Sequence, residues 1–90
     1  MKAVFKKNIV GVDGREVPNS LMSESLANAL AYTNKGDALK FWEWAQKLHT
    51  DGYLVLDKSD TKKLEEFITN HEGFANILKA QALDCLNDKE

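Results

Sequence analysis

At Pro18 the spacing of apolar residues changes from the two-residue period of a strand to the 3.6-residue period of a helix. Upstream, Ile9-Val10-Gly11-Val12 and Arg15-Glu16-Val17 flank Asp13-Gly14. That pair favours a two-residue type I′ turn, so a β-hairpin is expected over about residues 3–18, with Val4 and Phe5 extending its first strand. Downstream, Met22, Leu26, Ala29, Leu30 and Thr33 recur at the spacing of one helical face. A helix is therefore expected over about 21–34, started by Ser20 or Ser23 as a hydroxyl cap and ended at Asn34-Lys35-Gly36, where Gly36 is free to turn left-handed. The switch commits the chain to a mainly helical α+β fold with its strands gathered at the N-terminus.

Three more helices follow from the same signals. Asp37 caps a helix over about 37–50, in which Ala38, Phe41, Trp42, Ala45, Leu48 and His49 share a face. Asp51-Gly52 closes it, and Tyr53-Leu54-Val55-Leu56 reads as a short strand or buried connector. Asp57 opens a helix over about 58–71, with Asp60 near its positive end and Leu64, Phe67, Ile68 and His71 on its apolar face. Gly73 then leads into a helix over about 74–87. No repeat, low-complexity run or linker interrupts the 90 residues, so one domain over 1–90 is expected: a hairpin packed with about four helices. A chain of this size buries roughly 60–65% of its unfolded surface, which makes one thin core.

Several function classes lose their footing on composition. No apolar stretch approaches the roughly 20 residues that cross a bilayer, and Met1-Lys2-Ala3-Val4-Phe5-Lys6-Lys7 lacks the apolar centre of a signal peptide. The single cysteine, Cys85, has no internal partner and suits reducing surroundings, so a cytoplasmic setting is expected. Lys and Arg number 12 against 14 Asp and Glu, a net charge of −2. The lysines are interleaved with acids: Glu43 stands four residues before Lys47, and Lys62-Lys63 runs into Glu65-Glu66. That pattern describes solvated helix faces, so nucleic acid is an unfavoured partner, and a small helix-turn-helix DNA-binding regulator ranks as the second reading.

Catalytic and metal-binding patterns fail on spacing. His49, His71 and Cys85 stand singly on separate elements, with no short-spaced ligand pair. Asp57, Ser59 and Thr61 alternate like calcium ligands, but the sixth and twelfth loop positions are Lys62 and Ile68, where Gly and Glu are required. The glycines are scattered at turns and build no phosphate cradle. Neither an enzyme nor a cofactor or small-molecule substrate is expected.

What exceeds a minimal core points to protein contacts. On the second helix Trp42 falls about 70° to one side of the apolar stripe, Trp44 about 90° to the other, and Leu39 about 130° away. On the last helix Phe74, Leu78, Gln81, Ala82 and Cys85 define one face, Leu83 lies nearly opposite, and Leu86 falls between. A helix apolar on two sides is packed on two sides, by the hairpin or by another subunit. Leu39, Trp44, Leu83 and Leu86 are therefore the candidate interaction residues, for a protein partner or a second copy of the chain.

The order of elements also carries a resemblance. Strands around Asp13-Gly14 precede Leu26-Ala27-Asn28-Ala29-Leu30 and Lys35-Gly36-Asp37-Ala38; then come Leu54-Val55-Leu56-Asp57, Ser59-Asp60 and Lys79-Ala80-Gln81-Ala82-Leu83. This resembles small proteins of tailed-phage and prophage genomes with no assigned biochemical role. The resemblance implies a bacterial-cell or virion setting and carries over no catalytic residue. Together these readings lead to the expectation of a non-enzymatic interaction or assembly module.

Overall fold

The computed structural model describes residues 2–34 and 36–87. Lys35 of the expected first helix end, and the ends of the expected 1–90 domain, lie outside them. Four strands and four helices follow in the order β1 (Lys2–Val4), β2 (Asn8–Val10), β3 (Glu16–Leu21), α1 (Met22–Tyr32), α2 (Ala38–Thr50), β4 (Tyr53–Val55), α3 (Lys58–Asn70) and α4 (Asn76–Leu86). The fold is the mainly helical α+β arrangement that the change of period implies.

The strands form two separate antiparallel pairs. β2 and β3 make the hairpin, but its turn is not the two-residue type I′ expected from Asp13-Gly14. The Gly11 N–H donates to Arg15 O at 2.7 Å and the Gly14 N–H to Gly11 O at 2.9 Å, closing a three-residue loop, Val12-Asp13-Gly14. A type I′ turn needs positive φ at both central residues; here Gly14 has it, at +82°, and Asp13 does not. The Asp13 carboxylate accepts from the Arg15 N–H at 3.0 Å, which suits it to the turn it does make.

Nor do Val4 and Phe5 extend the hairpin. β1 leaves it to pair with β4, with Ala3 opposite Leu54 and Val4 opposite Tyr53. The alternation of the pleat sends Ala3, Phe5, Leu54 and Leu56 inward, all buried, while Val4 and Val55 stay exposed. The 53–56 run is thus a strand whose partner lies some fifty residues upstream.

The expected serine cap of α1 is replaced by backbone. Main-chain carbonyls of the segment between β1 and β2 take its first amides: Met22 N–H donates to Lys7 O and Ser23 N–H to Phe5 O. Ser20 serves the hairpin instead, donating to Val17 O and accepting from the Ile9 N–H, beside Asn19 at φ 58°. The caps of α2 and α3 match expectation, with the Asp37 and Asp57 carboxylates accepting from Lys40 N–H at 3.2 Å and Asp60 N–H at 2.7 Å. Gly36 is left-handed at φ +85°. α4 begins at Asn76, two residues later than expected, because Phe74 belongs to the turn in which its N–H reaches His71 O.

A single core joins the elements. α1 contributes Met22, Leu26, Ala27 and Leu30; α3 contributes Leu64 and Ile68; α4 contributes Leu78, Ala82, Cys85 and Leu86. α2 faces it with Phe41, Trp44, Ala45 and Leu48, so the helix is turned toward Trp44 and away from the Trp42, Ala38 and His49 side. Trp42 is 54% exposed. Gln81 of α4 pins the hairpin, accepting from the Val10 N–H at 2.8 Å and donating to Val10 O at 2.7 Å.

Candidate functional site

The rotation of α2 that buries Trp44 also sets Phe41 at the edge of the core, where it meets α3. The Phe41 and Trp44 rings stack at 5.5 Å, and Phe41 meets Phe67 edge-to-face at 5.3 Å. Phe67 stacks on His71 one helical turn on, at 5.2 Å, and Phe74 lies against both, 4.2 Å from the imidazole and 6.3 Å, edge-on, from Phe67. Five rings therefore connect the core to the surface, the outer three meeting as a triad. Edge-to-face and offset contacts of this kind are the favourable arrangements of aromatic quadrupoles.

Above these rings a groove of about 710 Å³ opens between the start of α2, the last turns of α3 and the α3–α4 turn. Phe41, Phe67 and His71 face it. Phe41 is buried by its neighbours, while Phe67 and His71 are half-exposed. Gly36 presses against the Phe41 ring, where a Cβ would come within 2.6 Å of a ring carbon; with φ at +85° the position favours glycine twice over. Among the described residues the His71 nitrogens make no hydrogen bond, only ring contacts. Among the described residues the rim carries Asp37, Glu66 and Glu72 against one ammonium, Lys63, together with the neutral amides of Asn34 and Asn70.

Next to the groove α2 presents an apolar corner. Trp42 lines a small hollow that shares Thr33, Asn34, Gly36 and Phe41 with the larger groove. Leu39, one turn before Trp42, is 83% exposed, and Tyr32 at the end of α1 is 87% exposed. A long apolar side chain that open is unremarkable alone; here three large side chains, Tyr32, Leu39 and Trp42, stand open near one end of the molecule.

The four residues expected to make contacts fall into two classes. Leu39 is exposed as anticipated, and Leu83 is half-buried against the core. Trp44, 5% exposed, and Leu86, fully buried, are core residues and present no surface. The reason is geometric: Trp44 is three residues from Phe41 and four from Leu48, so burying those two carries it inward. Leu86 lies four residues past Ala82, fully buried on the α4 face that meets the core. The groove was not anticipated. Its signal was present in the i, i+4 pair Phe67 and His71 followed by Gly73-Phe74, which reads as a core stripe until Phe41 is placed opposite.

The remaining polar side chains tie helices together. Lys40 Nζ donates to Asp60 Oδ1 at 2.6 Å, joining α2 to α3; this hydrogen bond, helped by the charges of Asp60, Asp37 and Asp57, raises the lysine above its ordinary pKa. His49 of α2 sits against the Glu24 carboxylate of α1, at 2.9 and 3.1 Å. Cys85 is buried and borders a separate hollow with Asn8, Val10, Met22 and Asp84, which neither histidine lines. Among the described residues no three His, Cys, Asp or Glu side chains cluster as metal ligands, and no helix is long and apolar enough to cross a membrane.

No family model matches this chain, and no curated protein or solved structure is significantly similar to it. None of these comparisons ties it to phage proteins.

Proposed function

We propose that the chain is a protein–protein interaction module without catalytic chemistry of its own, working through the end of the molecule where α1, α2 and α3 converge. The observation that carries this reading is the exposed Tyr32, Leu39 and Trp42 set beside an open groove floored by Phe41 and Phe67. Aromatic anchors next to a concavity, with an amide-bearing polar rim, are the composition of a protein contact site. The setting is that of the resemblance, a bacterial cell or a virion, and the role is in assembly or in modulating a host protein.

A DNA-binding regulator draws less from the molecule. The outward side of α2 offers Leu39, Trp42 and a Glu43–Lys47 pair at 3.0 Å, where a phosphate-tracking helix would array unpaired cations. Gel filtration with light scattering, together with recovery of bound protein from bacterial lysate, tests the proposal when wild type is run beside a Leu39→Asp/Trp42→Asp variant. The wild type should gain mass with concentration or retain a protein that the variant loses. Identical behaviour of the two chains would remove the α2 corner from the reading, and DNA retention that weakens steeply with salt would favour the regulator.

A further inference from the structure

We infer that the groove takes a segment of a partner protein that presents an arginine or lysine beside an aliphatic or aromatic side chain. The inference rests on the interaction reading above and adds the chemistry of the occupant. Three observations carry it. First, Phe41 and Phe67, which meet edge-to-face, both line the groove and make its wall aromatic. Apolar groups pack against either, and ring faces, partly negative, attract a cation. Second, the described rim sets three carboxylates, Asp37, Glu66 and Glu72, against the single ammonium of Lys63. Among the described residues Glu66 and Glu72 enter no ion pair, so their charge is available to a ligand. A cation held over an apolar floor feels these carboxylates more strongly than it would in open water. Third, Asn34 and Asn70 bring amide donors and acceptors to the same opening, the groups that an extended main chain needs.

The choice of a protein segment over a free organic cation follows from continuity. The groove shares Thr33, Asn34, Gly36 and Phe41 with the hollow that Trp42 lines. Only a chain of several residues would cover the groove and the Trp42 corner together.

The test is an amide-resolved NMR titration with two capped tetrapeptides that share a Leu-Phe centre and carry end residues of opposite charge, acetyl-Arg-Leu-Phe-Arg-amide and acetyl-Glu-Leu-Phe-Glu-amide. The arginine peptide should shift the amides of Gly36, Phe41, Phe67 and His71 and bind about tenfold more tightly than its acidic counterpart at low salt. Added salt should shrink that preference. A Glu66→Gln/Glu72→Gln variant should lose most of it while the amides of α1 and α4 keep their positions, since both glutamates are exposed. Equal binding of the two peptides in the groove would overturn the charge inference and leave the contact site standing. Absence of groove shifts with either peptide would overturn the inference and take the groove out of the interaction reading as well.

Discussion

α2 is held differently on its two sides, and the contrast explains where the open surface lies. Against α1 it makes the most extensive helix contact of the molecule. There α1 buries Leu26, Ala27 and Leu30, and α2 buries Ala45 and Leu48; alanines on both helices let the axes come close. Against α3 the tie includes the Phe41–Phe67 ring contact and the Lys40–Asp60 ion pair. Large rings meeting edge-on hold two helices apart. The same helix is thus zipped on one side and propped open on the other, and the propped side is the groove.

The largest effect expected from this contrast falls on its pivot. Trp44 is 5% exposed and stacked on Phe41, so Trp44→Ala should cost about 3–5 kcal/mol, the range for truncating a buried large aromatic. In a domain of this size each kcal/mol moves the melting temperature by roughly 4–8 °C, so thermal unfolding followed by circular dichroism would register the loss plainly. A cost below about 1 kcal/mol would instead place Trp44 at the periphery, where its angle on the helical wheel alone had put it.

Phe67→Ala comes next, at about 1–3 kcal/mol, because its ring is only half-buried and part of the space it leaves fills with water. Here the distribution matters more than the size. Hydrogen exchange should speed up in α3 and at the α3–α4 turn and stay slow in α1, since the zipped side does not depend on that ring. Uniform acceleration would mean that the two sides of α2 form one cooperative unit and that the contrast is only geometric.

The ion pair gives a smaller, pH-dependent effect. Its hydrogen bond to Asp60 raises Lys40 above the ordinary lysine value of 10.5. A group whose pKa is higher folded than unfolded adds stability that is fully present below the unfolded value and lost as pH rises through the folded one. Denaturant midpoints should therefore fall above about pH 10.5, and Lys40→Met should flatten that limb. An unchanged alkaline limb would mean that the pair contributes nothing to holding α3.

How far these features could be read from residues depends on whether their cause is local. Asp37 and Asp57 cap their own helices within three residues, and Gly36 turns left-handed beside its own helix end; all three were legible because nothing distant decides them. The pairing of β1 with β4 was not, because Ala3 finds Leu54 across the whole of α1 and α2. Ser20 and Ser23 looked like caps of equal merit, yet the helix starts at Met22, ahead of Ser23, and the amides Ser20 would have served were taken by Lys7 and Phe5 carbonyls delivered by that same distant pairing. The rotation of α2 is the instructive case. Periodicity placed Trp42 and Trp44 on either flank of one stripe; what separates them is the stacking of Trp44 on Phe41 and the edge-to-face contact of Phe41 with Phe67, a ring from another helix. The groove inherits that dependence, so its walls were visible as residue types and invisible as a place.

The smallest stability effect belongs to the residue that lost this competition. Trp42 is 54% exposed, so Trp42→Ser should change the unfolding free energy by no more than about 0.5 kcal/mol, as for most open surface positions. If the corner beside the groove is a contact surface, the same substitution should weaken self-association or partner retention at least tenfold, since exposed tryptophans beside concavities tend to anchor interfaces. Trp44→Ala should show the opposite balance, a large loss of stability with association surviving in whatever fraction stays folded. Two tryptophans two residues apart then divide the work of one helix, and measuring both variants by calorimetry and by light scattering separates the roles. Were Trp42→Ser to lower stability as far as Trp44→Ala, both rings would be structural and the open side of α2 would lose its claim as an interface.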